Sequence, residues 1–410
     1  MKFSFFKNLK HPSQATASDG AQIPPQGNKA ACIREEGETA KRVVEAKYER
    51  LPAVCVVLYG LGLVSLALYV VMTRSVAFAD WFNSTVSAVL RALLATVTYP
   101  LPFSLGEAII WLLPLALFLV LRHAVRHRCG SWKAASAYIG ILLSVVVTLF
   151  SVFVLNFAAG YRGRSLAEKL ELHQEKVSAQ ELYDTAVLLI DAINRETDEV
   201  HFEKDGFSEM PYSLETMNTE LGQSYESLSA RYSFISAFPC RVKPVLASEV
   251  MSYMHITGVY SFFTGEANLN VNFPDYTLPY TAAHELAHQR GIAREDEANF
   301  VAFLVCSSSD DPYVRYCGYL NLYEYVSNAL WRADRDLYYM AAAKLNSEVK
   351  AEMAAYSRFY DKYRHSTVSQ VSGSINNSYL QSQGTPGTQS YGMVVDLAVA
   401  YFKEAPKPTP

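Results

Sequence analysis

Three long apolar stretches, Leu51 to Met72, Ser104 to Leu121 and Ser136 to Phe157, interrupt the otherwise polar first part of the chain. As helices rising about 1.5 Å per residue, stretches of this length suit the ~30 Å hydrocarbon core of a bilayer. The first and third are too long and too apolar for buried helices of a globular core. The middle one carries Glu107 near one end and Pro114 inside. A carboxylate that close to the interface is expected to cap or snorkel. Between the first two spans, Val86, Leu90, Leu93, Leu94 and Val97 recur at helical spacing and predict a helix lying in the interface.

Residues 1–50 are polar and basic, without apolar periodicity or the apolar run of a signal peptide. A largely disordered cytoplasmic tail is expected there, with a short juxtamembrane helix from Glu35 to Arg50. Basic residues set the orientation. Lys41, Arg42, Lys47 and Arg50 precede the first span, and Arg122, Arg126, Arg128 and Lys133 join the second to the third. The first connection holds only Arg74 and Arg91. The positive-inside rule therefore puts the N-terminus and second loop in the cytoplasm and everything from about Tyr161 outside it, although Arg162 and Arg164 weaken the asymmetry slightly. The expected units are the tail (1–50), a three-helix transmembrane region (51–160), an extracytoplasmic domain (161–403) and a disordered end (404–410).

In the third unit, Ser178-Ala-Gln-Glu181 reads as a capping box opening a helix with core face Leu182, Val187, Leu188, Leu189, Ile190 and Ile193. Glu266 to Phe273 alternates, with Ala267, Leu269, Val271 and Phe273 on one side, which is strand periodicity. Ser307 to Pro312 is a loop, and long helical patterns run from Tyr313 to about Tyr363. A Ser/Gly/Asn-rich linker follows Arg364, and Tyr391 to Phe402 predicts a last helix. Composition changes little: the net charge is −4, and no basic stripe interleaved with aromatics points to nucleic acid.

The chemistry centres on Thr281 to Asn299, which contains His284-Glu285-Leu-Ala-His288. On a helix, positions i and i+4 share a face, so both imidazoles can present a nitrogen to one Zn²⁺. Zinc acidifies water towards neutral pH, and Glu285 is placed to take the proton as that water attacks a carbonyl. Pro279 suits a helix start and Gly291 a stop and reversal. A catalytic zinc needs a third protein ligand. On a second helix beginning near Ala293, Glu295, Ala298, Asn299 and Ala302 share a face. Glu295 is the expected ligand, and Asn299, one turn later, is expected to orient a histidine or the carboxylate. Glu297 is the alternative third ligand.

His-Glu-x-x-His followed by Glu-x-x-Ala-Asn resembles the gluzincin metallopeptidases. With Gly265-Glu266-Ala267-Asn268 and His288-Gln-Arg-Gly291 added, the string is similar to a bacterial membrane-protein family with a zinc metallopeptidase-like domain, domain of unknown function 3810. The resemblance runs from the first span to near the C-terminus. It implies a His284/His288/Glu295 zinc site with Glu285 as base, and supplies no substrate. The interval from His288 to Glu295 is shorter than in most gluzincins. The metzincin pattern is also followed up to Gly291, but Arg294 stands at its third histidine and a guanidinium cannot ligate zinc.

The expected architecture is mainly α: three transmembrane helices, then an extracytoplasmic gluzincin-like α+β metallopeptidase domain with a small sheet. Asn268, Leu269 and Asn270 are candidate substrate-binding residues, as an edge strand that could pair with extended peptide, a buried core strand being the other reading. Tyr316 and Tyr319 are candidates to stabilise an oxyanion, and His255 is a further candidate more in keeping with packing. Cys306 and Cys317 could pair across the Ser-Asp-Pro loop. The function expected is a membrane-anchored zinc metallopeptidase acting on a peptide or protein substrate. The competing reading is a non-catalytic zinc-binding membrane sensor or assembly factor; Glu285, which a structural site does not need, favours catalysis.

Overall fold

The computed structural model describes residues 49–127 and 131–404. The expected tail, nearly all of its juxtamembrane helix and the end beyond Glu404 lie outside them. The chain opens with α1 (Ala53–Arg74), α2 (Val76–Ser84), α3 (Val86–Thr98), α4 (Leu105–His127) and α5 (Trp132–Asn156). Helices α1, α4 and α5 are long and apolar enough to cross a membrane, with mean hydropathy of 2.5, 2.1 and 2.6. Helices α1 and α5 pack together: Gly62 admits Val147, and the Tyr59 hydroxyl donates to the Gly140 carbonyl at 2.7 Å.

Helix α3 is inside out by the standard of a water-soluble protein. Val89, Leu93 and Val97 are exposed, while Ser87, Arg91, Ala95 and Thr98 are buried. An apolar outer face suits an interfacial helix. The expected stripe is corrected at Leu94, which packs inward against Gly265.

The remainder comprises α6 (Leu166–Lys169), α7 (Ala179–Glu196), α8 (Leu214–Arg231), β1 (Val242–Pro244), α9 (Ser248–Tyr253), β2 (Gly258–Ser261), β3 (Glu266–Leu269), α10 (Leu278–Gln289), α11 (Glu295–Ser307), α12 (Pro312–Ala333), α13 (Arg335–Ala342), α14 (Ser347–Asp361), α15 (Thr367–Ser382) and α16 (Val394–Glu404). The Ser178–Glu181 capping box opens α7. Leu182, Leu189, Ile190 and Ile193 reach the core, but Leu188 is exposed and Ala186 takes its place. Every residue of α10 is buried, so polar groups on this helix face protein or cavity on all sides.

The sheet order is β1-β3-β2, with β1 parallel and β2 antiparallel to β3. The edge position expected for Asn268, Leu269 and Asn270 is therefore corrected. Strand β3 is central because β1, arriving from earlier in the chain, occupies its second side. Asn268 Nδ2 donates to the Val259 carbonyl at 3.1 Å and Asn270 Nδ2 to the Ile256 carbonyl at 2.8 Å, so both amides are used within the protein.

Two further expectations change. Thr367 to Ser382 is helical despite its Ser/Gly/Asn content, because Leu380 is buried and Tyr379 packs edge-on against Phe153 and Tyr161. Cys306 and Cys317 are free thiols; Cys306 faces Gly318 across the α11–α12 contact.

The apolar helices and the C-terminal unit are joined by reciprocal caps. Glu266 accepts hydrogen bonds from the Leu105 and Gly106 amides at 3.0 and 2.9 Å, at the start of α4, and from Lys243 Nζ at 2.6 Å. Glu107, one turn into α4, accepts in return from the Leu246 and Ala247 amides at 2.9 and 2.8 Å, just ahead of α9. Carboxylates at helix N-termini satisfy free amides and meet the positive end of the dipole. The capping role expected of Glu107 is thus an attachment between units.

Candidate metal centre

Helix α10 carries His284, Glu285 and His288, with Pro279 in its first turn. It ends at Gly291, whose φ of +88° is a left-handed conformation open to glycine at little cost. The reversal there brings Glu295, the first residue of α11, back against α10. Glu295 Oε2 lies 3.2 Å from His284 Nε2 and 3.3 Å from His288 Nε2. The three donor atoms fall within 4.8 Å of one another.

These separations fit a metal better than an ion pair. Two ligands held about 2.1 Å from one tetrahedral zinc stand about 3.4 Å apart. Despite its proximity to both rings, Glu295 Oε2 has no hydrogen-bond partner among the described residues, and His284 Nδ1 and Glu285 Oε2 also lack one. Buried polar groups are nearly always paired, so an orphaned Glu295 Oε2 set between two imidazole nitrogens marks a donor set shaped for a common partner. The far nitrogen of His288, Nδ1, lies 2.7 Å from the Ile292 carbonyl, an arrangement that leaves Nε2 free to coordinate.

Electrostatics agree with the geometry. Burial acts to raise the Glu295 pKa, but the two imidazoles hold its carboxyl well below the usual range. Burial acts to lower that of His288, and the charges of Glu295 and Glu285 overcome it, pushing the group up to about 9. Glu285 is raised by burial against the opposing pull of both histidines. Strand β2 backs directly onto this carboxylate. A Cβ on Gly258 would sit 2.6 Å from Glu285 Oε1, so any larger residue would displace this carboxylate.

Other sequence candidates separate clearly. Glu297 Oε1 accepts from the Leu166 amide at 2.8 Å and from Arg294 at 2.9 Å, pointing away from the imidazoles. Asn299 shares the cavity, but its side chain reaches Tyr325 and the Tyr391 carbonyl, with no bond to either histidine or to Glu295. Tyr316 is corrected as an oxyanion candidate: it is buried and donates to Glu352, outside the cavity wall, and Tyr319 also lies off that wall. His255 packs on Tyr360 with Nε2 2.9 Å from the Tyr363 carbonyl.

Sequence reasoning missed the supports of the turn. Arg91 of α3 is 1% exposed and donates to the carbonyls of Asn156 and Asn83 at 2.7 and 2.8 Å, beneath Gly291. Asn83 Nδ2 donates to the Gly291 carbonyl at 3.1 Å. Phe157, directly after α5, meets the His288 ring edge-on at 5.9 Å. On the other side, Arg290 stacks on Tyr225 and donates to the Leu286 carbonyl at 3.1 Å. Also missed was the cavity wall formed by α15, and Tyr391, whose pKa burial raises and the charges of Glu295 and Glu285 raise further.

The site opens into a cavity of about 970 Å³ between β2, α10, α12 and α15. A family model described as "Protein of unknown function (DUF3810)" matches residues 82–399. The chain belongs to this family. The match spans α3, α10, α11 and α15, so both the turn supports and the cavity wall fall inside the family's extent. No curated protein and no solved structure matches the chain.

Proposed function

We propose that this DUF3810 member is a membrane-anchored zinc metallopeptidase with a gluzincin-like site, acting outside the cytoplasmic membrane. The observation that carries the reading is the convergence of His284 Nε2, His288 Nε2 and Glu295 Oε2 beside a Glu285 carboxylate whose Oε2 has no partner. Those three residues would hold Zn²⁺, which when bound supplies a Lewis acid that acidifies water and polarises a carbonyl. Glu285 takes the proton of the attacking water and returns it to the departing amine.

Substrate alignment falls to β2. Its β3 side is paired, while Thr257 to Tyr260 line the cavity, so an extended peptide can add to the open edge. Tyr391, which lines the same cavity, would donate to developing negative charge on the carbonyl oxygen.

The test is a zinc-loaded full-length protein in detergent, set against a peptide library alongside Glu285→Gln. The reading requires zinc in both proteins and cleavage by wild type alone. Zinc in both with cleavage in neither favours a non-catalytic zinc-binding membrane protein.

A further inference from the structure

The far wall of the cavity carries a second acidic group that the metal centre does not use. On α12, Asn321, Glu324, Tyr325 and Asn328 recur at i, i+3, i+4 and i+7 and face the cavity, while Leu320, Leu322, Tyr323 and Val326 of the same helix are core. Glu324 Oε1 accepts one hydrogen bond, from the Tyr276 hydroxyl at 3.1 Å, and no cation lies in ion-pair range among the described residues. No Lys or Arg lines the cavity.

A carboxylate offers about four acceptor positions, and Glu324, partly exposed to the cavity, keeps most of its own open to a donor arriving there. Glu352 shows what a satisfied acid in this protein looks like: it takes hydrogen bonds from the Ser208 amide, the Ser208 hydroxyl and Tyr316. Glu324 has one donor where Glu352 has three. Burial, opposed by Tyr276 and aided by the charge of Glu352, pushes Glu324 up to about 7. An arriving cation would restore its ionised form.

We propose that Glu324 is the specificity residue of the cleft and takes a protonated amine of the substrate, with Asn321 and Asn328 flanking it. The assignment deepens the peptidase reading and rests on it for the word substrate. The amine has two sources in a peptide, the free N-terminus and a lysine side chain. No Lys or Arg stands near Glu324 in the lining to receive an acidic or phosphorylated group at that position.

The test uses full-length zinc-loaded protein in detergent and matched peptide hydroxamates, which need a metal but no turnover. Three probes are compared: one with a free N-terminal amine, one N-acetylated with lysine, and one N-acetylated with norleucine. One of the amine probes is expected to bind about tenfold or more tighter than the norleucine probe, the scale of a charge-assisted hydrogen bond. Which one identifies the source. Glu324→Gln should erase the preference while keeping zinc and norleucine-probe affinity, and Glu324→Asp should retain part of it. Equal affinity for all three probes, or a preference unchanged in Glu324→Gln, overturns the assignment. An amine preference lost in Glu324→Gln, with no peptide cleaved, would sink the peptidase reading and leave Glu324 standing. Zinc-loaded protein that binds no hydroxamate removes both.

Discussion

Replacing Glu295 by Gln separates the two acidic residues that the sequence alone leaves in competition. Glu295 Oε2 stands 3.2 and 3.3 Å from the two imidazole nitrogens, whereas Glu297 Oε1 is committed to the Leu166 amide and Arg294. Zinc held by a full set of protein ligands is worth roughly 10–16 kcal/mol. Removing one anionic donor of three should therefore cost about 3–5 kcal/mol, or about two to four decades in Kd. Glu297→Gln keeps an acceptor for Leu166 and loses a partly buried ion pair, about 1 kcal/mol of stability, with no change in metal affinity. Zinc competition against a chromophoric chelator measures both. Wild-type affinity in Glu295→Gln, or a greater loss in Glu297→Gln, would refute the assignment.

Gly258→Ala forces a methyl to within 2.6 Å of the Glu285 carboxylate, so peptide turnover should drop at least about tenfold while zinc content stays near wild type; displacement of the base by about 1 Å is enough for that. Arg91→Leu strips the donors from the Asn156 and Asn83 carbonyls and should lower stability by about 3 kcal/mol, read as a fall in Tm together with weaker zinc binding. In metal-free protein, His288 sits at about 9 when folded against about 6.5 when unfolded. A raised folded value stabilises fully below the unfolded pKa and is lost as pH climbs through the folded one. Melting of the apoprotein should thus weaken between about pH 6.5 and 9, by at most about 3 kcal/mol, and His288→Ala should remove most of the slope above about pH 8, beyond the titration of Glu324.

The local part of the site was readable because its determinants are close in sequence. Two imidazoles four residues apart on a helix share a face whatever surrounds them, and Gly291 marks the reversal that returns Glu295. The shared helical face favours Glu295 over Glu297, but the partner that occupies Glu297 is the Leu166 amide, 131 residues away, and no periodicity carries that information. Strand β3 was legible as a strand, but its place in the sheet depends on β1, a parallel neighbour that leaves no turn signature. Helix α15 was missed because serine, glycine and asparagine are poor helix formers, and it is Tyr379 and Leu380 that tie it down. Tyr316 was a reasonable oxyanion candidate until Glu352 was seen to claim its hydroxyl.

The turn at Gly291 rests on Arg91 and Asn83, side chains contributed from between the first two apolar helices, long before the histidines in the chain. Expressing the portion from Tyr161 onward by itself would remove that footing and uncover Glu266 where α4 now begins. The smallest piece able to keep the metal pocket in shape must start ahead of Val76, with its greasy helices attached. Stripping away the apolar helices would then cost the candidate pocket its shape as well as its anchor.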